Sequence, residues 1–167
     1  MHQGVLSVKP LISNIVTGIT GSDASILAAK YAIVLAKLYQ CRLTAVYVVD
    51  TATIKQLTMS KIFIQEESAG YEKSLEANGQ RYLSFVEELA MAKGIKAERE
   101  IRKGSVCTEI LSVADEKKAD LIILGGWERG RSARDIISHS HREIMVQAKC
   151  SVILVKEPGI DLIYKQA

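Results

Sequence analysis

The sequence is poor in the residues that mark many protein classes. Its 167 residues include three cysteines, two prolines, two phenylalanines and one tryptophan, and aromatics make up only 5%. Cys41, Cys107 and Cys150 are odd in number and widely spaced, which argues against a disulfide framework or a Cys-x-x-Cys metal site. Free thiols suit a reducing compartment, so a cytoplasmic location is expected. No apolar run approaches the roughly 20 residues that span a bilayer. The first eleven residues lack a long apolar core, so no signal peptide is expected there. The formal net charge is +3, too small an excess to point to nucleic acid. No OB, RRM or zinc-finger signature is visible. Neither nucleic acid nor a membrane is therefore an expected partner.

What is present fits one globular domain. Hydrophobic residues make up 48% and charged residues 25%, both ordinary proportions. A core of Val, Ile and Leu accounts for the scarcity of aromatics. Residues 15–19 form a short apolar run broken by Gly21-Ser22-Asp23, which predicts a strand and a turn. Ser22 or Asp23 is placed to cap a helix over 24–39, with Leu27, Ala28, Tyr31, Leu35 and Leu38 as its apolar positions. Residues 43–49 read as a central parallel strand ending at Asp50. Residues 51–65 carry no strong period and are expected to be a loop with a turn of helix. A helix over 66–93 follows, with Tyr82, Phe85, Val86 and Leu89 as its buried stripe and Gly94 as its stop.

Alternating charges over 96–102 predict a strand near the sheet edge. Gly104-Ser105 opens a helix to about 117, with Ile110, Leu111 and Ala114 facing inward. Residues 120–124 form another buried strand. Ser140-His141-Arg142-Glu143 has the spacing of a capping box, which places Ser140 as the cap of a last helix. Residues 151–155 make the final strand. The expected domain covers 13–157, between an N-terminal extension (1–12) and a C-terminal tail (158–167). The order β-α-β-α-β-α-β-α-β implies an α/β fold, with a mostly parallel, doubly wound sheet and right-handed crossovers.

Ligands of such sheets bind beyond the carboxyl ends of the strands. Here Thr20-Gly21-Ser22, Val48-Val49-Asp50, Gly125-Gly126 and Ser138-His139-Ser140 occupy that rim. Helix N-termini there offer N–H donors to a phosphate. The same residues also read as plain turn chemistry. His139 and His141, two apart at a helix start, do not converge as ligands at i, i+4 would, so no metal is expected. Neither G-x-S-x-G nor a P-loop occurs, and Cys107 reads as a small core residue, so no catalytic residue is assigned. Trp127 reads as a packing or dimer contact, or as a stacking residue. Arg129, Arg131 and Arg134 read as a solvated loop or as an anion clamp.

Five segments resemble the universal stress protein family in order and spacing. Residues 16–22 resemble its opening V-A-V-D-G-S, and Val46-Tyr47-Val48-Val49-Asp50 its L-H-V-V-D. Gly104-Ser105 with Glu109-Ile110-Leu111 resembles G-x-x-x-E-I. Ala119-Asp120-Leu121-Ile122-Ile123-Leu124-Gly125 resembles A-D-L-I-V-M-G, and residues 151–155 resemble P-V-L-V-V. The resemblance spans roughly residues 13–156 and implies a five-stranded sheet of order 3-2-1-4-5, of the adenine nucleotide alpha hydrolase-like kind. It also implies a homodimer paired through Ser151–Val155, a short apolar strand at an exposed edge.

ATP-binding members carry G-x2-G-x9-G-[ST]. Without gaps, Gly125 takes the first position, Glu128 the second, Ser138 the third and His139 the hydroxyl position. Sliding the frame by one retains Ser140 but puts Gly126, Arg129 and His139 at the glycine positions. That shift needs a one-residue deletion, which turns part of the last helix by about 100°. The ribose-binding aspartate becomes Thr20, and the backbone position against adenine becomes Val48. Only one glycine survives in either frame. Glu128 brings negative charge toward a polyphosphate, and the missing aspartate removes a bond worth roughly 1.5–3 kcal/mol. The resemblance thus implies a non-enzymatic stress-response or regulatory protein with weak or absent ATP binding. The alternative is an adenine-nucleotide (ATP or AMP) module, with slow ATPase activity or AMP sensing. A basic-loop interaction module without a small ligand is a third reading.

Overall fold

The computed structural model describes residues 8–126 and 138–167. In chain order the elements are β1 (Asn14–Ile19), α1 (Asp23–Tyr39), β2 (Arg42–Asp50), α2 (Thr51–Met59), α3 (Gln65–Met91), β3 (Ala97–Gly104), α4 (Val106–Glu116), β4 (Leu121–Gly125), α5 (His139–Gln147), β5 (Ser151–Val155) and α6 (Ile160–Gln166). The five strands form one sheet in the order β3-β2-β1-β4-β5. Every pairing is parallel, with Ile15 opposite Leu43 on one side and Leu121 on the other. The sheet is therefore all parallel, which sharpens the mostly parallel expectation. Strand order reverses between β1 and β4, the place where such sheets open a crevice.

Alternate residues of each strand feed opposite faces. Ile15, Leu43, Leu121 and Ile123 pack with α1 and α6. Val16, Val46, Ile122 and Leu124 pack with Cys107, Ile110 and Val113 of α4 and with Ile144 of α5. The buried Thr17 donates its hydroxyl to the Ile123 carbonyl at 3.0 Å, so its polar atom is satisfied inside the sheet. Asp120, the acid of the A-D-L-I segment, is structural. One of its carboxylate oxygens accepts from Ser13 and Asn14 N–H at 2.8 and 3.1 Å, locking the starts of β1 and β4 together.

Five local expectations are corrected by this structure. The inner face of α1 is Ala28, Ala29, Ala32, Ile33 and Ala36, all with no exposure, whereas Leu38 is 69% exposed. Alanines let the helix lie close to the sheet, and close approach outweighs side-chain size. On α3, Phe85 is exposed, and Leu83 takes its place beside Val86. Residues 51–59 form a helix because Asp50 caps it, accepting from the Thr53 N–H at 3.0 Å. The cap of α5 is Ser138, which accepts from the His141 N–H at 3.1 Å; Ser140 lies within the first turn. Residues 160–166 form α6, which buries Ile160 and Tyr164 against α1 and donates the Tyr164 hydroxyl to the Leu89 carbonyl at 2.7 Å.

Candidate functional site: a cleft at the carboxyl ends of β1 and β2

A cleft of about 250 Å³ opens where β1 and β2 end. Gly18, Ile19 and Thr20 form its floor on one side, and Tyr47, Val48 and Asp50 on the other. The remaining walls come from α2 (Thr53, Ile54, Leu57), α3 (Tyr71, Leu75), α4 (Val106, Ile110) and His141 of α5. Glycines set its shape. A Cβ at Gly18 would stand 2.9 Å from Leu124 Cδ2 and 3.1 Å from Ile110 Cδ1, so a bare backbone makes room for the side chains of Leu124 on β4 and Ile110 on α4. A Cβ on Gly79 of α3 would run into the Tyr47 ring. That ring stacks on Tyr82, with centroids 6.3 Å apart, and Tyr82 in turn covers Gly21 at φ +84°. Burial, with smaller contributions from Tyr82 and Tyr71, raises the Tyr47 phenol above its ordinary value.

The polar groups of the cleft are few. Thr20 Oγ1 lies 2.9 Å from Ser22 Oγ and accepts from the Ser22 N–H at 3.3 Å. Its hydroxyl is thus tied into the turn that starts α1, where Ser22 caps the helix by accepting from Ser25 N–H. The Asp50 carboxylate accepts from Thr53 through both oxygens, the backbone N–H at 3.0 Å and the hydroxyl at 2.7 Å. No lysine or arginine lines the cleft among the described residues.

Of the residues singled out from sequence, Thr20, Val48 and Asp50 meet in this cleft. Gly125 lies elsewhere: a Cβ there would stand 2.5 Å from the Ala24 carbonyl carbon, so this glycine lets α1 cross β4 closely. Ser138 caps α5, His139 is exposed and pairs with Glu143 at 3.4 Å, and Ser140 is half-buried. The α5 residue that reaches the cleft is His141. Trp127, Glu128 and the Arg129–Arg134 segment lie outside the described residues. Thr53 was missed as a site residue, although Asp50-Thr51-Ala52-Thr53 carries the signal of an acid cap before a helix. No three His, Cys, Asp or Glu side chains cluster as metal ligands among the described residues. Burial raises the Cys41, Cys107 and Cys150 thiols above their ordinary value, which keeps them poor nucleophiles.

The family model for the universal stress protein family matches residues 12–156. The chain belongs to that family. A universal stress protein of Methanocaldococcus jannaschii is 33% identical over 150 residues, covering 89% of this chain and 84% of the relative. Two solved structures share the fold. One is a universal stress protein in complex with cAMP, 20% identical, with a TM-score of 0.66 over 88% of this chain and 99% of that one. The other is the universal stress protein of Archaeoglobus fulgidus in complex with dAMP, 17% identical, with a TM-score of 0.59 over 88% of this chain and 100% of that one. No helix among the described residues of this universal stress protein is long and apolar enough to cross a membrane.

Proposed function

We propose that this universal stress protein acts in stress response or regulation without catalysis, and that it binds ATP far more weakly than relatives with the full motif. One observation carries this reading. At the end of β1, where the resemblance implies a ribose-binding carboxylate, Thr20 offers a neutral hydroxyl already shared with Ser22. Losing a charge-assisted hydrogen bond weakens binding by roughly 1.5–3 kcal/mol. The α5 terminus agrees, since the Ser138 hydroxyl is occupied in capping and His139 carries a bulky ring at the hydroxyl position.

The second reading is an adenine-nucleotide module, with slow ATPase activity or AMP sensing. The apolar cleft favours it, because Val48, Val106 and Ile110 offer faces on which a flat ring can lie, and two family members are solved with cAMP and dAMP. Calorimetry separates the two readings. The wild type is expected to give little heat with ATP. The variant combining Thr20→Asp, Glu128→Gly, Ser138→Gly and His139→Ser is expected to gain binding; glycine at the Ser138 cap costs α5 only a few tenths of a kcal/mol, roughly. Micromolar binding of ATP by the wild type would establish the second reading instead.

The partner we propose is a second copy, joined through Ser151–Val155. β5 ends the sheet and carries no charged residue. We place this protein in the cytoplasm.

A further inference from the structure

We infer that the groove between α1 and α3, now covered by α6, is a docking groove for a partner protein's amphipathic helix, one with an acid followed a turn later by a tyrosine, and that α6 occupies it in cis. This is independent of nucleotide binding and of pairing through β5.

The covering helix shows what the groove takes. Ile160 and Tyr164, four apart and so on one face of α6, join the apolar cluster of Ile33, Ala36 and Ala90. Around them the polar contacts have a direction. Lys30 of α1 pairs with Asp161 in the first turn of α6. At the other end Lys37 donates to the Ala167 carbonyl at 2.9 Å, and Lys93 to the Lys165 carbonyl at 3.4 Å. An acid at a helix start and cations at its end are the arrangement that the helix dipole favours. Lys30 and Lys93 also lie 5.6 and 4.7 Å from the centre of the Tyr164 ring, close enough for cation–π attraction. The groove therefore recognises a helix's direction, its acid and its tyrosine.

α6 is a weak occupant. It has seven residues, and isolated helices below roughly 12–15 residues are marginal. No side chain caps its start, and Ile160 and Tyr164 are its buried residues. It lies beyond the family match, which ends at residue 156, whereas α1 and α3 lie within it. Peripheral elements with few buried contacts open at low free energy.

α6 also covers only part of the groove. Past its amino end a depression of about 910 Å³ continues, sharing Lys30 and Asp161 with the α6 seat and bounded by Ile26, Leu27 and Phe85. Phe85 is 43% exposed there. α6 does not extend over it, because Pro158 opposes a helix running through that position. A separate helix without that proline runs on, covers Phe85 and buries apolar surface that α6 leaves in water. That gain is what a partner sets against the high effective concentration of a tethered α6.

The probe is a labelled synthetic helix in which two leucine-bearing turns precede the Ile160–Gln166 sequence, titrated into the full chain by fluorescence anisotropy. Tyr164→Ala releases α6, and the probe is expected to bind this variant about tenfold more tightly than the wild type, because affinity scales with the fraction of open groove. Asp161→Asn, at a partly exposed side chain, should shift affinity the same way with less disturbance of the fold. Phe85→Lys should weaken the probe in every background. A probe bearing Asp161→Lys and Tyr164→Ala should not bind. Equal affinity for the wild type and both α6 variants, or equal binding of the two probes, would overturn the inference. So would association of the wild type that Tyr164→Ala abolishes without any probe binding, since the groove would then belong to the α6 of a second copy.

Discussion

The two edges of the sheet are built in opposite ways. β3 is a ladder of charge. Arg102 pairs with Glu100 at 3.3 Å and with Glu116, Lys117 with Glu98 at 2.6 Å, Lys103 with Glu72 and Glu76 at 3.2 and 3.1 Å, and Arg99 with Glu87 at 2.8 Å. β5 reads Ser-Val-Ile-Leu-Val and carries no charge. An unpaired strand edge is a template for another strand, and charged side chains along it oppose such pairing. The sheet therefore discourages association at β3 and leaves β5 able to pair. The ion pairs of β3 are largely solvent-exposed and add little stability. Their effect lies in what they prevent.

The largest effect is expected where β5 is anchored. Gly125 pairs with Val155, and the backbone of Ala24 sits where a Cβ would go. Gly125→Ala should push α1 from β4 and destabilise the domain by about 2–3 kcal/mol, read as a lower denaturation midpoint with an unchanged slope. Next comes Ile153→Lys, which puts a charge on the apolar edge. Sedimentation should show the proposed dimer dissociating while circular dichroism keeps its α/β signature. A dimer that survives would move the interface elsewhere. Smaller is Tyr164→Phe, which removes the bond to the Leu89 carbonyl and should cost about 1 kcal/mol with no change in oligomeric state.

The smallest effect concerns acid. Lys117 holds the Glu98 carboxyl below its ordinary value, and Arg102 does the same for Glu116. A carboxyl whose folded value is depressed stabilises the fold above its unfolded value, and that contribution fades as pH falls through the folded value. Acidification should therefore loosen β3 before β5, whose strand has no titrating side chain. Hydrogen exchange measured near neutrality and again below the carboxylate range should show protection lost first along β3. Equal loss at both edges would erase the distinction.

Much of this architecture is legible in the residues. The apolar runs, their Gly and Ser punctuation and the charged alternation of β3 yield the element order and the edge position. Sequence pattern fails where distance rules. Leu38 matches the helical period of α1 yet is exposed, because the face that packs on the sheet is the one carrying Ala28, Ala29, Ala32, Ile33 and Ala36. The Ser140 box has the right spacing, but Ser138 starts the helix two residues earlier. α6 is short and follows Pro158-Gly159, so its Ile160 and Tyr164 gain meaning only when α1 and α3 stand beside them. In the cleft, Thr20 and Val48 are found from motif alone. Asp50 follows from its place at the end of β2, whereas Thr53 and His141 belong to the cleft only through the crossing of β2, α2 and α5, which no local spacing encodes.

The most direct test is a calorimetric titration of the wild-type chain with ATP at neutral pH. With a hydroxyl in place of the carboxylate after β1 and no cation lining the described cleft, the expected dissociation constant is weaker than roughly 0.1 mM. A low-micromolar constant would contradict the reading and show that this protein grips the nucleotide despite its altered rim.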